Sequence, residues 1–177
     1  MALPTFAYRL IGRFSTSRLD RALHPLLYRL TGGRGVLGHV FGCEMLLLRT
    51  MGRRSGRPRS VALFAFPTSG PDGSSGSWAV IASRGGSRTI PAWYRNLQAR
   101  PEAVVQLHGV QYEAIAREVF EADYEALFEQ AAQAYPGYRL YRAEAPHHIP
   151  IIVLDRGAST LGEGSPVTAG AKGEADA

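Results

Sequence analysis

MLLLRTMGRRSGRPRSVALF, residues 45–64, sets two short apolar runs on either side of a basic segment. The apolar runs, 45–48 and 61–64, have the length and composition of β-strands. The segment between them contains two glycines and a proline, which favour a turn. The stretch therefore predicts two strands joined by a basic loop. The other predicted strands come after it in the sequence.

The predicted loop is rich in groups that bind anions. Five arginines and no acidic residue lie between Arg49 and Arg59. Guanidinium groups and the hydroxyls of Thr50 and Ser55 suit phosphate or carboxylate oxygens, and glycine lets backbone N–H groups approach a ligand. We interpret residues 50–59 as a candidate anion site. An ordinary solvated basic loop remains the alternative, because the phosphate-loop lysine spacing and the dinucleotide-binding glycine pattern are both missing.

Beyond this stretch the pattern is typical of a small β-barrel with flanking helices. Six strands are predicted, at 43–50, 60–67, 77–83, 103–108, 110–119 and 149–154. Strands joined mostly by turns favour a six-stranded antiparallel barrel, a mainly β (α+β) fold. One helix is predicted from Pro91 to about Ala99, and another begins near the acidic residues Glu121, Asp123 and Glu125.

The chain divides into three parts by composition. Residues 1–42 are predicted to be helical, residues 43–156 form the barrel domain, and residues 157–177 are predicted to be a disordered tail because they have little to bury. The first 42 residues contain six arginines and a single acid, Asp20. Residues 1–30 could therefore rest on an anionic membrane surface, or pack on the domain or on a second subunit in a homodimer.

Composition also limits the classes of function. A single cysteine, Cys43, allows no internal disulfide and fits a reducing cytoplasm. Nucleic-acid binding is disfavoured, because 19 of the 20 basic residues are arginine and no alternation of aromatic and basic residues is present. The histidines show no metal-ligand spacing, so no metal site is predicted. With few acid–base groups, the sequence favours chemistry carried by a bound cofactor.

Two further segments are candidates for the same site. Residues 82–87, Ala-Ser-Arg-Gly-Gly-Ser, follow the third strand and could add a hydroxyl from Ser83 and a cation from Arg84. Residues 135–141 contain Tyr135, Tyr138 and Tyr141, of which the last two share a face if the stretch is helical. These rings could line a pocket, or they could simply pack over the end of the barrel.

Four segments together resemble the deazaflavin-dependent nitroreductase family of actinobacteria. They are residues 47–59, 80–86, 91–97 with Pro101-Glu102, and 135–138 with 149–151, and the match spans about residues 20 to 156. The resemblance implies a split β-barrel of the FMN-binding type. It also implies that the cofactor is coenzyme F420, an 8-hydroxy-5-deazaflavin, with FMN as the alternative.

The resemblance implies a role for each matched residue. The basic loop would hold the anionic tail of the cofactor, and the tyrosines would close over a small-molecule acceptor, a quinone or a nitroaromatic. Hydride would pass from C5 of the reduced deazaflavin to this acceptor, with Ser83 or Tyr138 polarising or protonating it. A non-catalytic carrier of the cofactor or of a lipid-like molecule is the other alternative. The implied cofactor-binding residues are Arg53, Arg54, Ser55, Gly56, Pro58, Arg59, Phe64, Ala82, Ser83, Arg84, Gly85, Pro91, Ala92 and Trp93, and the implied catalytic residues are Ser83, Tyr135, Tyr138 and Tyr141.

Overall fold

The computed structural model describes residues 43–161, apart from residues 71, 72, 74 and 75 in one loop. The predicted helical segment 1–42, including the membrane contact proposed for residues 1–30, lies outside the described residues. Residues 162–177 of the predicted tail also lie outside them. The fold and the site described below therefore belong to the barrel domain.

Six strands form a closed barrel in the order β1-β2-β3-β6-β5-β4. All neighbouring strands are antiparallel, so the predicted six-stranded antiparallel barrel is confirmed. The strands are β1 Glu44–Met51, β2 Pro58–Thr68, β3 Ser77–Ile81, β4 Glu102–Leu107, β5 Val110–Glu118 and β6 Ile151–Leu161.

Strand β6 is longer than its sequence indicates. It continues to Leu161, so residues 157–161 are strand rather than the disordered tail predicted for them. Its partner β5 explains the difference: the ladder runs from Glu118↔Ile152 to Gln111↔Leu161, with a register shift between Tyr112 and Ala114. Backbone pairing with a neighbouring strand thus overrides a local composition of small and polar residues.

Three helices and one short turn connect the strands. They are a 3-10 turn at Arg84–Gly86, α1 at Ala92–Ala99, α2 at Glu121–Ala134 and α3 at Gly137–Glu144. The predictions for α1 and α2 are confirmed. Helix α3 meets the condition set for Tyr138 and Tyr141, which are both buried on its inner face.

Alternation along β1 separates two regions of the core. Leu46 and Leu48 face the barrel interior, where they share a buried cluster with Trp93 of α1. The outer surface of β3 and β6 is covered instead by α2 and α3, and its buried cluster includes Ile81, Phe128 and Tyr138. The candidate tyrosines therefore lie outside the barrel, between its wall and the helices.

The barrel is split beside β2. Strand β2 pairs with β1 from Pro58 to Ala65, but it pairs with β3 only from Phe66 to Thr68. Strand β3 ends at Ile81, and the chain then leaves the sheet for the turn at Arg84–Gly86. The two strands thus separate toward the end of the barrel that carries the basic loop.

Tyr112 offers a test of the barrel interior. Its hydroxyl is buried and forms no hydrogen bond with any described residue. Because an unsatisfied buried hydroxyl costs roughly 1–3 kcal/mol, we expect Tyr112→Phe to raise the free energy of unfolding by about 1 kcal/mol. Urea denaturation would measure the change.

Tyr135→Phe is the matched control, because the Tyr135 hydroxyl lies 3.0 Å from that of Tyr141. Removing a bonded hydroxyl should lower the free energy of unfolding by about 1 kcal/mol. A loss of stability in Tyr112→Phe as large as that in Tyr135→Phe would show that the Tyr112 hydroxyl is satisfied.

Candidate functional site

The basic loop, residues 52–57 between β1 and β2, is a tight turn that closes on itself. The Gly52 N–H donates to the Arg57 carbonyl at 2.9 Å, and the Gly56 N–H donates to the Gly52 carbonyl at 2.8 Å. Gly56 has a φ of +61°, which favours glycine at this position. The side chains of Arg53, Arg54 and Arg57 are exposed, so the loop presents its charge to solvent.

Helix α1 anchors the start of this loop through one buried side chain. Asn96 is 5% exposed; its Oδ1 accepts from the Arg53 N–H at 3.2 Å, and its Nδ2 donates to the Thr50 hydroxyl at 3.1 Å. The sequence-based interpretation gave Asn96 no role. The signal was a polar residue on the buried face of a helix, between Trp93 and Leu97.

The turn at Arg84–Gly86 has an unusual backbone. Ser83 is in the right-handed helical region, whereas Arg84, Gly85 and Gly86 have φ values of +46°, +63° and +75°. A right-handed residue followed by a left-handed one forms a backbone concavity of the kind that binds anions. The Arg84 guanidinium donates to the hydroxyl of Thr89.

The same turn packs against α3. A Cβ added at Gly86 would lie 3.0 Å from Cδ1 of Tyr141, so the close approach depends on glycine. Ser83 is buried, and its carbonyl accepts from the Gly86 N–H at 3.0 Å. The structure therefore brings the Ser83 segment and the tyrosines together.

The three tyrosines form one buried cluster. The Tyr138 ring centroid lies 5.3 Å from that of Tyr135 and 6.1 Å from that of Tyr141. Strand β2 contributes Phe64, 5.5 Å from Tyr135, and Phe66, 6.0 Å from Tyr138. The phenol of Tyr138 is held protonated, because burial, with smaller contributions from Cys43 and Tyr141, raises its pKa well above its ordinary value.

The remaining predicted site residues take different places. Ala82 and Trp93 belong to the cluster in the barrel interior, and the Ala82 N–H donates to the Pro150 carbonyl at 2.9 Å. Pro91 is buried, whereas Ala92, the first residue of α1, is exposed. Pro58 opens β2 opposite Met51.

Strand β2 connects the two halves of the candidate site. The loop ends where β2 begins at Pro58, and Phe64 lies six residues further along on the same face of the strand, which corresponds to a separation of roughly 20 Å. A ligand with an anionic group at one end and a flat ring at the other matches this spacing. Within the residues that the structure describes, no group of acidic, cysteine or histidine side chains could hold a metal ion, and no helix could cross a membrane.

Comparison with known proteins identifies relatives along most of the chain. The family model described as F420H(2)-dependent quinone reductase matches residues 21–156. An F420H(2)-dependent quinone reductase of Mycobacterium tuberculosis (strain H37Rv) is 32% identical over 139 residues, which cover 76% of this chain and 88% of that protein.

Solved structures give a consistent result. The structure of an F420-H2 dependent reductase (FDR-A) is 30% identical, with a TM-score of 0.56, and the match covers 63% of this chain and 94% of that one. A structure described as a domain-swapped dimer is 28% identical, with a TM-score of 0.57, and covers 78% of this chain and 100% of that one.

Proposed function

Because the chain belongs to the F420H(2)-dependent quinone reductase family, we propose that it reduces a quinone-like or nitroaromatic acceptor with reduced coenzyme F420. The predicted deazaflavin-dependent family is confirmed, and the chain is an oxidoreductase that uses this cofactor. The observation that carries the proposal is the arrangement along β2, with exposed arginines at its start and an aromatic cluster further along.

The described residues fit an anionic cofactor tail. Arg53, Arg54, Arg57 and Arg59 are exposed around a loop that α1 holds in place. Charge-assisted hydrogen bonds from guanidinium groups to phosphate or carboxylate oxygens are short and strong. Four such groups exceed what the single phosphate of FMN requires, which supports the deazaflavin over the ordinary flavin.

The chain's own contribution to the reaction is binding, orientation and hydrogen bonding. When bound, reduced coenzyme F420 supplies a hydride. Phe64, Ser83 and the turn at Arg84–Gly86 would border its ring, because they lie on the side of β2 where the barrel splits. Tyr138 would donate a hydrogen bond to the acceptor, since its raised pKa keeps the phenol protonated. Most of the protein's effect then comes from proximity and orientation.

The assembly and location of the protein are further parts of the proposal. The similarity to a domain-swapped dimer supports a homodimer. A cytoplasmic location, with membrane contact through residues 1–30, remains a prediction from the sequence. A quinone dissolved in a lipid bilayer would be a natural acceptor for a protein that touches the membrane.

A fluorescence titration with coenzyme F420, run beside FMN at the same salt concentration, tests the cofactor. We expect micromolar or tighter binding of the deazaflavin and much weaker binding of FMN. The second step follows oxidation of the reduced cofactor by menadione and by a nitroaromatic. Preference for FMN would favour the alternative cofactor, and tight binding without turnover of either acceptor would favour a carrier.

A further inference from the structure

The basic loop joins the rest of the domain through Asn96. The other hydrogen bonds made by the loop backbone, among the described residues, are internal to residues 52–57. Asn96 uses both ends of its amide, accepting from the Arg53 N–H and donating to the Thr50 hydroxyl. One side chain thus fixes the last part of β1 and the first arginine of the loop to the same helix.

The hydrogen bond between Asn96 and Thr50 joins two buried side chains. Asn96 is 5% exposed and Thr50 is 2% exposed, so neither polar group can turn to water when the contact is lost. Leaving a buried donor or acceptor unsatisfied is costly, which favours the bonded geometry strongly. An aspartate at this position would lose the donor to Thr50 and add a negative charge beside the arginines.

We propose that Asn96 is a positioning residue for the anion site, acting through the loop without contact with the ligand. The proposal rests on the proposed function, in which the loop arginines bind the anionic tail of the cofactor. A loop held in its binding conformation before the ligand arrives loses less conformational entropy on binding. Asn96 therefore contributes to affinity for the tail but not to affinity for the deazaflavin ring.

A comparison of two ligands separates this role from a general structural one. The ligands are coenzyme F420 and 8-hydroxy-5-deazariboflavin, which has the same ring but neither phosphate nor glutamates. We expect Asn96→Ala to bind coenzyme F420 about tenfold more weakly, and the tail-less deazaflavin within twofold of the unmodified protein. The matched control is Ser77→Ala in β3, opposite Thr68 at the far end of β2, which removes the 2.9 Å hydrogen bond that the buried Ser77 side chain donates to Asp155.

A second variant tests the same hydrogen bond if Asn96→Ala folds poorly. Thr50→Val replaces the hydroxyl that accepts the hydrogen bond from the Asn96 amide with a methyl group. Thr50→Ser keeps a hydroxyl at this position and should retain the hydrogen bond. Thr50→Val should show the same tail-dependent loss, and Thr50→Ser should bind as the unmodified protein does. Equal losses for both ligands, or no loss for either, would overturn the positioning role.

Amide hydrogen exchange tests the loop independently of the cofactor. In the ligand-free protein we expect the Arg53 amide to exchange at least tenfold faster in Asn96→Ala than in the unmodified protein. If the unmodified protein bound no deazaflavin, the proposed function would fail, whereas faster exchange at Arg53 would still support control of the loop by Asn96. Unchanged exchange at Arg53 would overturn it.

Discussion

Replacing Arg54 and Arg59 together with alanine should weaken binding of coenzyme F420 about a hundredfold. Both side chains are exposed, Arg54 in the loop and Arg59 at the start of β2, so their removal leaves no cavity and little effect on folding is expected. Each lost charge-assisted hydrogen bond is worth about 1.5 kcal/mol, and every 1.4 kcal/mol corresponds to about tenfold in affinity. A fluorescence titration at two salt concentrations would measure the loss.

The control must remove the same charge elsewhere. Arg139→Ala with Arg142→Ala does so on α3, where the two arginines pair with Glu129 and Glu125 of α2. Exposed pairs of this kind contribute little to stability. Because the Arg142 guanidinium also lies 3.9 Å from the Phe128 ring centroid, urea denaturation must accompany the control to show that α3 remains in place. If the control weakened cofactor binding as much as the loop variant, net charge would account for the affinity and the assignment of the loop would be wrong.

The salt dependence of cofactor binding distinguishes specific contacts with the loop arginines from a general attraction by the protein's net positive charge. A site made of several guanidinium groups should lose affinity as salt rises, because exposed charges are screened within roughly 10 Å at 0.1 M. The variant with both Arg54→Ala and Arg59→Ala should be less sensitive to salt than the unmodified protein. An unchanged salt dependence would mean that other cations hold the tail.

The parts of the fold predicted from the sequence are those that local pattern determines. The run at 45–48 predicted β1, whereas the structure was needed to show that Leu46 and Leu48 face the barrel interior. The extension of β6 to Leu161 could not be predicted, because it depends on pairing with β5, more than thirty residues away in sequence.

In the candidate site, too, local sequence spacing predicted some features, whereas others depend on contacts between distant parts of the chain. The spacing of Tyr138 and Tyr141 predicted a shared face, and the structure places both with Tyr135 in one cluster. Their burial could not be read from that spacing, because the covering groups come from β2, β3, β6, α2 and the turn at Arg84–Gly86. The raised pKa of Tyr138 follows from this burial, and it favours one of the two roles left open by the sequence.

Those two roles are polarising the acceptor and giving up a proton to it. A phenol whose pKa is raised above 10.0 stays protonated across the accessible pH range, so it donates a hydrogen bond well but ionises poorly. We infer that Tyr138 polarises the acceptor, and that the proton comes from another group or from solvent. The turnover rate should then show no loss from ionisation of Tyr138 as the pH rises to about 10.

Tyr138→Phe should lower kcat between tenfold and a hundredfold while changing cofactor affinity less than twofold. The loss corresponds to one hydrogen bond to developing negative charge, about 1.4 to 2.7 kcal/mol of activation free energy. Tyr112→Phe is the matched control, because it removes a buried tyrosine hydroxyl in the barrel interior, outside the cluster of Tyr135, Tyr138 and Tyr141. Steady-state kinetics with menadione and a binding titration would separate the two effects. Equal losses in kcat and in cofactor affinity would remove Tyr138 from the acceptor, and a fall in kcat near pH 10 that disappears in Tyr138→Phe would show that the phenol ionises during turnover.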